Sequence, residues 1–345
     1  MSVNNLLSEG FSKAFSRSVT FWNNYWFYPA PLFNLALCRI IIVGFQLCFL
    51  FIKDYGSEVL TRASVPSSIY NPLPVLQGLN VFFPWESPPD FFLTAVFWLA
   101  SVFGVLALIG LKTNISLFVF AIGNLYIQSY LYSFGKFHHP EALMLIALVV
   151  LALSPSGKLL SIDACNYRNL KRQSTRNSSH LSASASRSSD ILRASSPFAR
   201  WPLLLIQWLF ALAYLSAGLN KLVLDGPGLF TLDWMNGYTL QYYLISDGLL
   251  WGSSLGVWLG HQHTLVLVFS FVAILFEATF FLTLLFPKLI WFYIPAGTMF
   301  HLGIYMAQRA PFFQYIALYA VFIPWAAVIK MLLGRLRGTA SIERY

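Results

Sequence analysis

Charged side chains are scarce in this chain. Asp, Glu, Lys and Arg together supply 10% of its 345 residues, against roughly 25% in an ordinary soluble domain. A globular fold bathed in water is therefore excluded. Cysteine is scarcer still, and Cys38, Cys48 and Cys165 form no CxxC, no zinc-ligand spacing and no disulfide framework. Only His301 among the histidines lies deep in an apolar run, whereas a haem within a membrane usually wants two or more that face each other. No metal is expected. Serine-nucleophile elbows, Gly-rich phosphate loops and P-loop lysines are missing, which removes the enzyme classes those motifs announce. A cleavable signal peptide is not expected, because the first long apolar run begins after Pro31 and is long enough to span.

What the chain has instead is apolar surface. Hydrophobic residues make up 57% of it and the mean hydropathy is +0.65. The fold class that follows is an all-α integral membrane protein, a polytopic bundle of about eight transmembrane helices. Window hydropathy places the spans near 32–52, 91–111, 115–134, 141–157, 201–221, 264–286, 289–308 and 312–333. Residues 1–30 carry Leu7, Phe11, Phe15 and Trp22 at near-helical spacing with Lys13 and Arg17 among them, the pattern of an interfacial helix. Residues 31–158 then hold four spans, 201–333 the other four, and 334–345 a basic tail. Between the halves, 159–200 is basic and, over 173–196, rich in serine and nearly free of aromatics. Such a composition cannot offset its ordering entropy, so a disordered linker is expected.

The formal charge of +9 points to orientation rather than to nucleic acid, which is not an expected partner. With eight spans, the Lys and Arg of the N-terminus, of Lys112, of 158–200, of Lys288 and of the tail all fall on one side. The positive-inside rule makes that side cytoplasmic, with both termini on it. Residues 54–90 and 222–263 then lie on the other side. They are proline- and aromatic-rich, and loops this apolar are expected to fold back as a roof over a cavity.

Ionisable groups inside a membrane need a reason. In 201–221, WPLLLIQWLFALAYLSAGLNK, Gln207, Tyr214 and Lys221 recur every seven residues and share one face. Ser216 and Asn220 form a second polar column. Lys221 reads either as a snorkelling interfacial lysine or as a partly desolvated amine able to act as a base. His138 and His139, before Pro140 and Glu141, sit at the same expected depth; helix-start chemistry accounts for Pro140 and Glu141, and the two histidines read either as surface histidines or as members of a polar site there. His301, with Tyr305 and Gln308 on its face, is either a core histidine or a site group. Arg39 and Glu277 lie at similar expected depth, Arg39 roughly 10 Å into its helix, and opposite sign suggests a buried structural ion pair.

These residues also carry a resemblance. LALCRIIIVG, FHHPEALMLIALVVLALSPSGKLLSID, QWLFALAYLSAGLNKL, DWMNGYTLQYYL, FEATFFLTLLFP and FHLGIYMAQRAPFF occur in that order. Together they resemble the HTTM (horizontally transferred transmembrane) family, related to the membrane module of vitamin K-dependent gamma-glutamyl carboxylase. The resemblance implies that Lys221 matches the carboxylase's active-site lysine, with Asn220 in place of a preceding lysine. It implies that His139 and His301 fall on histidine positions, and Arg39 and Glu277 on further matched ones. A lipidic quinol such as vitamin K hydroquinone is the implied cofactor, with Lys221, His139 and His301 as catalytic groups and His138, Tyr214, Asn220 and Tyr305 around the ligand. Residues after 333 are too few for the carboxylase's lumenal domain, so full glutamate carboxylation is not expected. The implied partners are membrane lipid, a quinol, and a peptide or protein substrate or partner chain. The alternatives are a non-catalytic membrane protein that holds a peptide or lipid in the same cavity, and a transporter. A transporter fits less well, because Pro295 and Pro324 interrupt two late spans with no counterpart in the first half.

Overall fold

The computed structural model describes residues 3–79, 85, 87–135, 139–175, 191–224 and 234–342. The chain is a polytopic, all-α membrane protein. In order, its elements begin with α1 (Val3–Phe27), β1 (Ala30–Pro31), α2 (Leu32–Ile52), α3 (Tyr55–Ala63) and α4 (Pro74–Leu79). Then come α5 (Asp90–Ile109), α6 (Thr113–Tyr132), α7 (His139–Ala152), α8 (Ile162–Thr175) and β2 (Ser195–Ser196). The second half holds α9 (Arg200–Leu219), α10 (Tyr238–Trp251), α11 (Ser254–Gly260) and α12 (His263–Thr279). It closes with α13 (Leu282–Leu285), α14 (Ile290–Gln308), α15 (Phe313–Leu318) and α16 (Trp325–Ile342).

Among the described residues, six helical stretches are long and apolar enough to cross a membrane. They are built on α2, α5, α6, α9, α12 with α13, and α14, where the sequence places six of its expected spans. The expected span 141–157 falls on α7, whose apolar part, Glu141–Ala152, is shorter. The expected span 312–333 is two helical pieces, Phe313–Phe322 and Trp325–Gly334, bent by 72°. Pro324 stands at that bend and cannot continue the ladder of N–H donors. Backbone groups freed at such a break need partners inside a bilayer, and side chains supply them. Gln207 Nε2 donates to the Val321 carbonyl at 2.6 Å, and Trp325 Nε1 to that of Ala320 at 2.9 Å. Asn34 Oδ1 accepts the Ala326 N–H at 2.8 Å.

Arg39 departs from expectation. It does not pair with Glu277; α2 packs against α5, α7 and the 155–163 turn, while Glu277 stands on α12 against α9. Equal depth says nothing about which helices are neighbours. Arg39 is fully buried and closes the turn after α7, its guanidinium donating to the Ser156 carbonyl at 3.1 Å and that of Leu160 at 2.5 Å. Asp163 completes this end. Its carboxylate accepts the Lys112 N–H at 2.9 Å, the Thr113 N–H at 2.8 Å and the Thr113 hydroxyl at 2.7 Å, capping α6 from a distant part of the chain. Burial opposes its charge, but these donors and the nearby Arg39 guanidinium hold the carboxyl below its ordinary value. Gly110 caps α5 with φ +73°, where a Cβ would meet the Ser161 Cβ at 2.3 Å.

The expected disordered linker, 159–200, is ordered at both ends. Residues Ile162–Thr175 form α8, and Ser195–Ser196 pair antiparallel with Ala30–Pro31. Composition misjudged the margins because their apolar anchors are few but well placed. Leu159 and Leu192 are buried against Phe33, Ala36 and Ala326. Residues 176–190 lie outside the described set. The N-terminal segment is a helix, α1, fastened near its end where Trp208 Nε1 donates to the Tyr25 hydroxyl at 2.6 Å.

Candidate functional site

The site grows from the C-terminal end of α9. The α-helical ladder stops at Leu219 and Asn220–Leu224 form a π-helical turn. Single π turns inside α-helices are rare and often occur at functional sites, because the wider turn re-aims a side chain. Here it separates Lys221 from the face shared by Gln207 and Tyr214. Gln207 and Tyr214 reach the Tyr315–Phe322 segment, whereas Lys221 turns to α12. Gly218 permits that approach. A Cβ on it would lie 2.6 Å from the Ala278 backbone nitrogen, so no larger residue lets α9 and α12 come so close.

Across this contact the Lys221 ammonium donates to the Glu277 carboxylate in an ion pair. The side chains are 20% and 8% exposed. The Trp234 ring covers the ammonium, its centroid 5.2 Å from Nζ, an attraction between cation and ring face. Ser270 Oγ holds the Trp234 backbone by donating to its carbonyl. The expected Arg39–Glu277 pair is thus replaced by Lys221–Glu277.

Seven residues earlier on α9, Tyr214 joins His301 and Tyr319 in a second polar group. The Tyr214 hydroxyl lies 2.5 Å from His301 Nε2 and 2.6 Å from the Tyr319 hydroxyl. If Tyr214 donates to the ring nitrogen, Tyr319 donates to Tyr214, and the three make a directed chain along which a proton can move. His301 is 3% exposed and stacks on Phe312 with ring centroids 5.5 Å apart. Phe276 and Phe280 pack on Tyr214, Phe280 stacked at 4.6 Å. Phe276 and Phe280 stand on either side of Glu277 on α12, so the helix that carries the carboxylate of the ion pair also packs its rings on Tyr214.

Compared with known protein families, with curated proteins and with solved structures, the chain matches none.

The structure therefore brings Lys221, Glu277, Tyr214 and His301 into one region and leaves other expected members aside. Asn220 is exposed, as is Ser216 in the same column. Tyr305 packs on Phe313 at 4.8 Å under the Arg309 guanidinium, a turn above His301. Arg39 belongs to the 155–163 turn. His138 lies outside the described residues, and of His139 only its place at the start of α7 is described. Among the described residues no group of three or more His, Cys, Asp or Glu side chains gathers as a metal site. Sequence reasoning missed Tyr319, which hides among aromatics with no periodic signal, and Trp234, which arrives from a loop. It also missed that Glu141 accepts the Tyr55 hydroxyl at 2.6 Å. Burial first, then the Glu141 charge, push that phenol well above its ordinary value, which keeps Tyr55 a donor and ties α3 to α7.

Proposed function

We propose that the chain is a membrane enzyme of the carboxylase-like class that acts on a lipidic quinol, with Lys221 and Glu277 working as one acid–base unit. The observation that carries this is the Lys221–Glu277 pair on a π turn, shielded by Trp234 within the apolar bundle. A salt-bridged ammonium is not itself a free base. The pair takes up a substrate's hydroxyl proton on the Glu277 carboxylate, or on a Lys221 amine that has first passed its proton to Glu277. Either way the pair becomes cationic as the substrate becomes an oxyanion, and the two charges attract in a medium of low dielectric. His301, Tyr214 and Tyr319 offer a path for proton exchange beside it. The quinol itself comes from the HTTM resemblance. The fuller architecture belongs to the same proposal: eight crossings, counting α7 and the bent pair, both termini cytoplasmic, α1 at the interface, and α3, α10 and α11 roofing the outer end.

The test is turnover by reconstituted full-length protein given reduced naphthoquinols under oxygen, with products separated by chromatography. A positioned general base contributes about 10²–10⁴ in rate, so Lys221→Ala and Glu277→Gln should each lower turnover at least about a hundredfold. No turnover by the wild type across quinols of several tail lengths refutes the proposal.

One observation favours a second reading: Lys221 and Glu277 satisfy each other in an ion pair. A protein that merely holds a lipid or peptide there would lose ligand retention in Lys221→Ala and show no turnover in any form.

A further inference from the structure

A separate cavity of about 440 Å³ opens at the end of the bundle where α2 and α14 finish and α7 begins. That volume suits a small polar ligand. Six charged side chains line it, Lys53, Glu58, Arg62, Glu141, Asp247 and Arg309. Three of them are already engaged. Arg62 pairs with Glu58 at 3.2 Å, and Glu141 accepts from Tyr55. Among the described residues, Lys53, Arg309 and Asp247 form no ion pair. The two cations instead rest over aromatic rings, Lys53 over Phe49 at 5.9 Å and Arg309 over Tyr305 at 5.7 Å. The cavity therefore presents two cations and one carboxylate with capacity to spare, brought together from α10 and the ends of α2 and α14.

We propose that this cavity binds the headgroup of an aminophospholipid. Its phosphate meets Arg309 and Lys53, where a guanidinium and an ammonium give charge-assisted hydrogen bonds, and its primary ammonium meets Asp247. Two features favour a lipid over a free solute. The cavity sits where membrane-crossing helices end, at the depth of headgroups, and basic pockets between such helices are known lipid sites in general. Part of its wall is apolar, with Leu131, Trp251 and Pro311 available to glycerol and the first methylenes.

The experiment titrates the purified full chain with short-chain phosphatidylethanolamine, phosphatidylcholine and phosphatidylglycerol, counting bound lipid by native mass spectrometry. Phosphatidylethanolamine should be retained in preference to the other two. Arg309→Gln should weaken it about tenfold or more, as expected for a lost charged hydrogen bond. Asp247→Lys should switch the preference to phosphatidylglycerol, a gain that misfolding cannot produce. Equal retention of all three lipids, or an unchanged order in Asp247→Lys, overturns the proposal. Displacement of the lipid by an equal concentration of soluble phosphoethanolamine overturns the lipid assignment.

Discussion

Removing one partner of the Lys221–Glu277 pair should cost more than removing both. Glu277 is 8% exposed and Lys221 20%. Stranding one charge of a buried pair costs about 3–5 kcal/mol, because the other stays desolvated without its compensation. The two single variants should differ. Glu277→Gln leaves an ammonium that is a fifth exposed and still lies 5.2 Å from the Trp234 centroid; a cation over a ring recovers about 0.5–2 kcal/mol. Its cost should be about 2–3 kcal/mol. Lys221→Met leaves a carboxylate with less exposure than the ammonium has, so its cost should sit at about 3–5 kcal/mol. The double variant Lys221→Met with Glu277→Leu substitutes apolar volume for both charges and should return to within about 1 kcal/mol of wild type. The coupling is then about 4 kcal/mol or more, close to a thousandfold in the folding equilibrium. Equilibrium unfolding in mixed micelles measures the cycle. If the double variant is destabilised by the sum of the singles, the coupling is zero and the pair does not form.

Three further outcomes follow from other parts of the fold. Gly110→Ala must hold φ +73° and put a Cβ 2.3 Å from that of Ser161, so thermal denaturation should register a loss of about 2 kcal/mol or more. Asp163 has a lowered folded-state value, so its contribution is fully present above the unfolded aspartate value of about 4 and is lost as pH falls through the lower folded one. Asp163→Asn should therefore destabilise the protein at neutral pH and flatten the acid limb of its stability profile between those two values. Tyr214→Phe takes one partner from both His301 and Tyr319 and should cost about 1–3 kcal/mol in the same unfolding measurement; adding Tyr319→Phe should recover part of that loss.

The membrane helices were legible because hydropathy is a sum over some twenty residues, insensitive to any one neighbour. Leu32–Ile52 forms where a span near 32–52 was expected. Lys221 and His301 were legible as exceptions to the same pattern, being the basic side chains in runs that are otherwise mostly apolar. Where reasoning from sequence went astray, it lacked lateral information. Arg39 and Glu277 matched in depth and were opposite in sign, yet α2 and α12 are not packed together, and each charge found a nearer partner. The tight Gly218–Ala278 contact also brings Glu277 opposite Lys221, which counting from helix ends does not give. Composition judged 159–200 as a whole, whereas Leu159 and Leu192 are enough to seat its ends.

By itself, then, the sequence determined the class of the protein and the short roster of side chains that have no business in lipid, since transfer of each residue between water and hydrocarbon is a local property. Only the tertiary structure decided how that roster is paired. A π turn and a glycine contact joined Lys221 to Glu277, and a hydroxyl of Tyr319, 105 residues from Tyr214, completed the chain to His301. Pairing is decided by which helix faces lie within a few ångströms, and a periodic pattern carries no distance between helices.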